Sequence, residues 1–218
     1  MADAEESPLP RAGELSGFFF TFEGCEGSGK TTQVELLREH LAERGFEVLV
    51  SREPGGTGVG ARIREILLDP EQVGLEPLAE ALLFAADRAQ QVAEVILPAM
   101  RKGWVVIGDR FVDSSLAYQG VARGLGLEEV ARLNEWVTGG LEPTLTFYLD
   151  MPVEEALARK SVEGQDRIEG EPAEFHRTVR EAYLMLAKLH SHRVVVIDAR
   201  ASREEIHGRV KRELGRVL

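Results

Sequence analysis

The sequence predicts an α/β fold in which a five-stranded parallel sheet is flanked by helices. Short apolar runs, at residues 18–22, 46–50, 104–107, 144–149 and 193–197, alternate with amphipathic runs at helical spacing. A glycine-rich run separates the first apolar run from the first amphipathic one. The first strand, helix and second strand fit within about thirty residues, the length that a parallel crossover unit needs.

Composition indicates an ordinary globular protein rather than a nucleic-acid or membrane binder. The chain has 218 residues, of which 44% are hydrophobic and 29% are charged, and its formal net charge is −11. A nucleic-acid surface needs clustered Lys and Arg to displace counterions, so this charge argues against one. No apolar run approaches the length of a membrane span. We therefore expect neither nucleic acid nor membrane as a partner.

The first residues are expected to lie outside the fold. Residues 1–16 are acidic, carry two prolines and lack the basic start and apolar centre of a signal peptide. We predict a disordered tail over residues 1–16 and a single domain over residues 17–218. Cys25 is the single cysteine of the chain, which fits a reducing compartment and a cytoplasmic location.

The first strand leads into residues 24–31, whose sequence GCEGSGKT has the spacing of a phosphate-binding P-loop. Glycines let the backbone N–H groups point inward, and the following helix adds partial positive charge at its N-terminus. Lys30 is then placed to bind the outer phosphates, and the Thr31 hydroxyl to hold a magnesium ion. The alternative is a glycine-rich turn that binds nothing. At the same helix N-terminus, Cys25 could be an acidified, oxidisable thiol.

A helix to about residue 44 and the second strand, 46–50, precede residues 52–57, REPGGT. Ligands of open parallel sheets gather beyond the carboxyl ends of the strands, so this loop is expected to face the P-loop. Arg52 and Glu53 could also be solvated loop charges.

Helices are predicted over residues 59–68 and 78–100. On the second, Phe84, Arg88 and Gln91 share a face. They could form a stacking surface beside a phosphate-binding arginine, although a core phenylalanine and a surface arginine fit the same spacing.

The third strand, 104–107, ends in Gly108-Asp109-Arg110. P-loop enzymes place a magnesium carboxylate just beyond an apolar strand, and an adjacent arginine suits bidentate phosphate binding. Asp109 could instead cap the next helix. Asp150, at the end of the fourth strand, 144–149, is a rival for the metal, although Pro152 favours a helix start there.

Residues 113–120, DSSLAYQG, offer hydroxyls and an amide that could contact a base, although Asp113 or Ser114 could equally be an N-cap. Helices are expected over residues 127–138, 153–160 and 202–217. Between them, residues 161–172 are polar and interrupted by glycine, and Arg159, Lys160 and Arg167 lie in or beside this segment. It could be a lid that closes over phosphates, or an ordinary charged loop.

The ordered set of these motifs resembles bacterial thymidylate kinase. It comprises residues 22–24 (FEG), 52–57 (REPGGT), 83–88 (LFAADR), 109–111 (DRF), 114–115 (SS), 117–120 (AYQG) and 166–169 (DRIE), in the P-loop context. The resemblance extends from residue 18 onward and implies a P-loop nucleoside monophosphate kinase-like fold with a short lid at about residues 159–171. It also implies MgATP as donor, dTMP as acceptor, dTDP as product in dTTP synthesis, and a homodimer.

The resemblance also implies roles for individual residues. ATP would bind at Gly24, Cys25, Glu26, Gly27, Ser28, Gly29, Lys30, Thr31 and Thr32. The dTMP site would comprise Glu26, Arg52, Glu53, Phe84, Arg88, Arg110, Ser114, Ser115, Tyr118 and Gln119. Of these, Arg52, Arg88 and Arg110 would converge on the acceptor phosphate, and Phe84 would stack on thymine. Catalysis would use Lys30, Asp109, Arg110, Arg159 and Arg167, and the metal would be held by Thr31 and Asp109.

The lid is expected to supply the basic residues of catalysis, because the interior of the P-loop, Cys25-Glu26-Gly27-Ser28, contains none. Three rival functions remain open at this point. Another nucleoside monophosphate kinase would share the fold and differ in the base pocket. A regulatory GTP-binding switch would require an Asn-Lys-x-Asp motif, which the sequence lacks. A P-loop scaffold without turnover would require a broken site, whereas Lys30, Thr31 and Asp109 are present.

Overall fold

A computed structural model of the chain describes residues 15–159 and 165–218. The described part includes the parallel strands β1 (Phe19–Glu23), β2 (Val48–Arg52), β3 (Val105–Asp109), β4 (Leu145–Asp150) and β5 (Val194–Asp198). They pair in the order β2-β3-β1-β4-β5, which confirms the predicted five-stranded parallel sheet. Most of the predicted tail, residues 1–14, and the lid residues 160–164, including Lys160, lie outside the described residues.

Helices connect these strands. They are α1 (Lys30–Glu43), α2 (Gly58–Leu68), α3 (Pro77–Gln91), α4 (Leu97–Arg101), α5 (Val112–Ser115), α6 (Leu127–Thr138), α7 (Val153–Ala158), α8 (Ala173–Leu189) and α9 (Arg203–Leu214). A π-helical segment, Val92–Ile96, joins α3 to α4, so the long helix predicted over residues 78–100 is one helical run. A second one, Leu116–Ala122, continues α5 and was not predicted.

Every strand ends one or two residues later than predicted. The sequence pattern ends each strand at its last apolar residue, but the backbone ladder continues because its hydrogen bonds do not depend on the side chain. The polar residues that follow therefore belong to the strands, and the register pairs Asp109 with both Phe22 and Arg52. The carboxyl ends of β1, β2 and β3 thus lie side by side.

Helices cover both faces of the sheet. On one face, Phe20, Phe22 and Phe147 pack against apolar residues of α1 and α9. On the other, Phe19 packs with residues of β3, α4 and the Val92–Ile96 segment. β1 is the central strand and is buried along its whole length. The core therefore holds its carboxyl end, from which the P-loop continues. None of the helices in the described ranges is long and apolar enough to cross a membrane.

Candidate active site

The segment between β1 and α1 is a turn in which Gly24, Gly27 and Gly29 all have positive φ angles, as the predicted glycine-rich loop requires. Gly27 has φ +77, and a Cβ there would lie 2.9 Å from the Ala156 carbonyl oxygen, so a larger residue does not fit. Lys30, on the first turn of α1, donates from Nζ to the carbonyl oxygens of Gly24 (3.0 Å) and Cys25 (2.9 Å). Burial, reinforced by the charge of Arg110, lowers the pKa of Lys30 to about 8.

The two residues predicted to hold a metal lie together. The Thr31 hydroxyl donates to Asp109 Oδ2 at 3.3 Å, which joins the start of α1 to the end of β3. The rival carboxylate, Asp150, binds Arg180 at 2.7 and 2.9 Å and accepts a hydrogen bond from Tyr148. Asp150 does not line the cavity described next. The geometry therefore favours Asp109 as the metal-side carboxylate.

One cavity opens beside the P-loop at the carboxyl end of the sheet. Twelve of the residues named from the sequence line it: Glu26, Lys30, Thr31, Arg52, Glu53, Phe84, Asp109, Arg110, Ser114, Ser115, Tyr118 and Gln119. Asp166, Ile168 and Glu169, which follow the undescribed part of the lid, line it as well. The cavity thus combines cationic and aromatic side chains with hydroxyl and amide groups, the set needed to bind a phosphorylated base.

Arg110 holds a left-handed backbone conformation, with φ 75, at the end of β3. Such a conformation costs about 1–3 kcal/mol in a residue other than glycine and persists only where neighbours impose it. The guanidinium lies 3.6 Å from Glu26 and stacks on the Tyr118 ring, 5.5 Å from its centroid. Burial opposes its charge, but the surrounding tyrosines and carboxylates raise the pKa of Arg110, so it stays a cation.

Glu23, part of the FEG motif but given no role from the sequence, is a positioning residue. It is fully buried at the end of β1 and accepts hydrogen bonds from the Phe111 amide (2.8 Å), the Ser114 hydroxyl (2.6 Å) and the Tyr183 hydroxyl (2.8 Å). Burial and the nearby Asp113 raise the pKa of Glu23. The contacts fix the chain on both sides of Arg110 and Ser114. An acidic residue directly after a buried, mostly apolar strand was the available signal.

Arg88 does not lie on the cavity wall with Arg52 and Arg110, contrary to the expectation that the three converge on a phosphate. Its guanidinium is 1% exposed and donates to Glu53 at 2.9 and 2.6 Å. It also donates to the Ser115 hydroxyl, the Phe111 carbonyl oxygen and Asn134. The buried carboxylate of Glu53 requires a cation beside it. Arg88 is that cation, and it lies behind the cavity wall.

The two described lid arginines occupy different places. Arg159, at the end of α7, has its Cβ beside the P-loop, 3.7 Å from where a Cβ on Gly27 would lie. Its guanidinium donates from Nη1 to the Ala199 carbonyl oxygen (3.5 Å). Arg167 instead donates to the Leu67 carbonyl oxygen (2.9 Å) and lies 2.8 Å from Glu80, and it does not line the cavity. Neither arginine lines the cavity, but Arg159 starts beside the phosphate-binding loop, whereas Arg167 is bound away from it.

Cys25 does not fit the expectation of an acidified thiol. Its side chain is buried, and burial raises the pKa of the thiol in spite of the nearby Lys30. The hypothesis of a reactive cysteine is wrong, because desolvation outweighs the positive end of the helix and the lysine charge. In the remainder of the loop, Ser28 is buried and Thr32 is exposed on α1.

Known proteins are similar to this chain in sequence and in fold. A family model described as thymidylate kinase matches residues 22–210. The chain is 55% identical to a thymidylate kinase of Caldanaerobacter subterraneus subsp. tengcongensis over 184 residues, which are 84% of this chain and 88% of that relative. It is 52% identical to a thymidylate kinase of Halothermothrix orenii, covering 88% of this chain and 94% of the relative. The crystal structure of thymidylate kinase from Ehrlichia chaffeensis, at 34% identity, superposes with a TM-score of 0.75 over 91% of this chain and 99% of that one.

Proposed function

This chain belongs to the thymidylate kinase family, and we propose that the cavity beside its P-loop is the site at which a phosphoryl group passes from ATP to dTMP, giving ADP and dTDP. We assign the site because residues suited to both substrates line the same cavity. Lys30 and Thr31 of the phosphate-binding loop line it together with Arg52, Arg110 and the aromatic ring of Phe84. Donor phosphates and an aromatic acceptor base can therefore be held next to each other.

The P-loop binds the phosphates of ATP through its inward backbone N–H groups and the Lys30 ammonium. Thr31 and Asp109 would hold Mg²⁺, since a hydroxyl and a carboxylate are hard oxygen donors and lie 3.3 Å apart. Bound there, the ion would neutralise charge on the donor phosphates. Exchange of the two loop carbonyls for phosphate oxygens would turn the Lys30 ammonium toward the transferred group. Arg159, whose Cβ lies beside the loop, would add a second cation from the lid by turning its guanidinium from the Ala199 carbonyl oxygen to the phosphates.

On the acceptor side, Arg52 and Arg110 bind the dTMP phosphate. A phosphate oxygen of dTMP is already anionic, so the attack requires no strong general base, and Asp109 orients rather than accepts a proton. Phe84 stacks on thymine and Tyr118 lies against the sugar, with Glu26 near its 3′-hydroxyl. Ser114, Ser115 and Gln119 supply the polar contacts, and Glu53 and Arg88 support them.

Acceptor choice tests the base pocket against the rival of another nucleoside monophosphate kinase. ADP release from MgATP is measured by a coupled assay with dTMP, dUMP, AMP, GMP or CMP in separate reactions. Turnover that strongly favours dTMP is expected. Preference for a different acceptor would overturn the base-pocket roles of Phe84, Ser115 and Gln119, and no turnover with any acceptor would favour a scaffold.

We also propose that the protein is a homodimer. Helices α2, α3 and α6 pack together, and their outward faces carry exposed Val59, Ile66, Leu78, Leu82 and Trp136. Trp136 is 79% exposed, which is unusual for a side chain of this size. A second copy of the chain would cover this face. A cytoplasmic location stays a prediction, to be tested by cell fractionation.

A further inference from the structure

Glu80 on α3 is a buried carboxylate to which the reaction gives no role. It is 1% exposed, and its two oxygens accept from three side chains. Oε1 accepts from Gln119 Nε2 (2.8 Å) and Arg123 Nε (3.2 Å), and Oε2 accepts from Arg123 Nη2 (3.1 Å) and lies 2.8 Å from Arg167 Nη1. Burial alone would raise the pKa of Glu80, but these hydrogen bonds and charges lower it, so the carboxylate is ionised.

The contact with Glu80 determines which way the Gln119 amide points. An ionised carboxylate only accepts hydrogen bonds, so the NH₂ group of Gln119 must be the part that faces Glu80. The carbonyl oxygen, Oε1, is then the amide atom left for the cavity that Gln119 lines. Within residues 15–159 and 165–218, Gln119 Oε1 accepts no hydrogen bond. It is also not one of the fully buried polar atoms that lack a partner.

The position of Glu80 fits a role at the base pocket. Glu80, Phe84 and Arg88 follow one another at four-residue spacing and so share one face of α3. Phe84 lines the cavity, one helical turn from Glu80. Two arginines saturate the remaining lone pairs of the carboxylate, which fixes its rotamer and, through it, the amide.

We propose that Glu80 is a positioning residue for base specificity: it fixes the Gln119 amide with its carbonyl oxygen toward the acceptor base, so that the site selects pyrimidines that carry an N3–H donor. This inference rests on the proposed function of the cavity. Thymine and uracil carry that hydrogen, whereas the N3 of cytosine is an acceptor and would meet the carbonyl oxygen as a repulsive partner. A buried acceptor left without a donor discriminates strongly against the wrong ligand.

The test is Glu80→Asp, which keeps the negative charge between Arg123 and Arg167 but withdraws the carboxylate from Gln119 by one methylene. The dissociation constants of dTMP, dUMP and dCMP are measured by titration calorimetry, together with kcat and KM where turnover occurs. The preference for dTMP over dCMP is expected to fall by about tenfold or more, because the freed amide can turn its NH₂ group to cytosine. The dTMP to dUMP ratio and the KM of MgATP are expected to stay unchanged, since both imide bases carry N3–H.

If Glu80 only stabilised the fold, Glu80→Asp would change the acceptor preferences in a different way. An unchanged dTMP to dCMP ratio in Glu80→Asp, or an equal loss for all three acceptors, would overturn the proposal. In a Gln119→Ala background, Glu80→Asp should alter the ratio by less than about twofold, because its effect acts through the amide. Full additivity of the two substitutions would also overturn it.

Two further variants complete the experiment. Glu80→Gln, which can donate to the Gln119 carbonyl oxygen, should also lower the dTMP to dCMP ratio and serves if the aspartate variant does not fold. Glu213→Gln is the matched control, because Glu213 is likewise buried between two arginines, Arg209 and Arg216, but lies on α9 away from the cavity. It should leave the ratio at its wild-type value. Absence of dTMP turnover by the wild type, with dTMP still bound more tightly than dCMP, would count against the proposed function alone.

Discussion

Lys30 shows how a single buried charge is prepared for a ligand. Its ammonium is 6% exposed and is held by two loop carbonyl oxygens, with Glu26 4.0 Å away. Burial and the charge of Arg110 lower its pKa, and carbonyl dipoles stabilise the cation less than phosphate charges would. Replacement of these carbonyl partners by ATP phosphates is therefore favourable, so Lys30 contributes to the binding of the donor.

Lys30→Ala is expected to reduce kcat on the order of 10³-fold or more, because it removes a cation from the transferred phosphoryl group. The fold should be retained, since the substitution removes a buried charge. Steady-state kinetics and circular dichroism check the two expectations. Lys211→Ala, at an exposed position on α9, is the control. Turnover by Lys30→Ala near the wild-type rate would contradict the P-loop assignment.

The pKa of Lys30, about 8 in the free protein, predicts proton uptake when ATP binds. At pH 8.5 a fraction of Lys30 is neutral, and the phosphate charges raise its pKa, so binding should take up a proton at up to about one per ATP. Calorimetry in two buffers with different ionisation enthalpies measures this uptake. In Lys30→Met the contribution of Lys30 should vanish, and a buffer dependence equal to that of the wild type would assign the proton to another group.

At the scale of elements, short segments at the ends of strands and helices place the site. The Leu116–Ala122 π-helical segment presents Tyr118 and Gln119 to the cavity, and the end of β3 presents Asp109 and Arg110. The end of α7 places Arg159 beside the P-loop. π-helical turns are frequent at functional sites. For function, the precise placement of these strand and helix ends matters more than the regular interiors of the strands and helices.

The two lid arginines should differ in effect. Arg159→Ala is expected to lower kcat by about 10²-fold or more, because Arg159 starts beside the P-loop and can neutralise transferred charge once its guanidinium leaves the Ala199 carbonyl oxygen. Arg167→Ala should lower kcat less, since Arg167 is bound to Glu80 and the Leu67 carbonyl oxygen. Single-turnover kinetics compare them, with the exposed Arg200→Ala as control. A larger loss in Arg167→Ala than in Arg159→Ala would contradict this ranking.

At the scale of the whole molecule, sheet order decides what meets at the cavity. Because β3 lies between β1 and β2, their carboxyl ends bring the P-loop, Asp109 and Arg52 to one edge. These residues are far apart in sequence. Helices on both faces bury β1 along its whole length, so the strand that leads into the P-loop is packed within the core.

The proposed dimer makes a prediction at this scale. Leu82→Glu places a charge on the exposed α2–α3–α6 face and should shift the protein from dimer to monomer, since burial of an unpaired carboxylate is costly. Light scattering coupled to size exclusion measures the mass. Met185→Glu, at an exposed apolar position on α8, should leave the dimer intact. A monomeric wild type, or dissociation by Met185→Glu alone, would refute this interface.

The sequence by itself determined the fold class, the P-loop and most of the residues that line the cavity. Apolar periodicity depends on local spacing, and the P-loop pattern requires residue types at fixed positions, so both are visible without coordinates. The order of the motifs along the chain was specific enough to indicate the family, which the family comparison confirms. Strand ends were placed too early, because hydrophobicity does not report backbone pairing.

Only the tertiary structure decided which charges face the cavity and which support it from behind. Arg88 and Arg110 are both arginines in prominent motifs, yet Glu53 holds Arg88 behind the cavity wall while Arg110 lines it. Glu23 and Glu80 gain their partners from segments distant in sequence. Cys25 has the position of a reactive thiol but is desolvated by packing. Burial and long-range ion pairing are properties of the packed chain, and local sequence does not encode them separately.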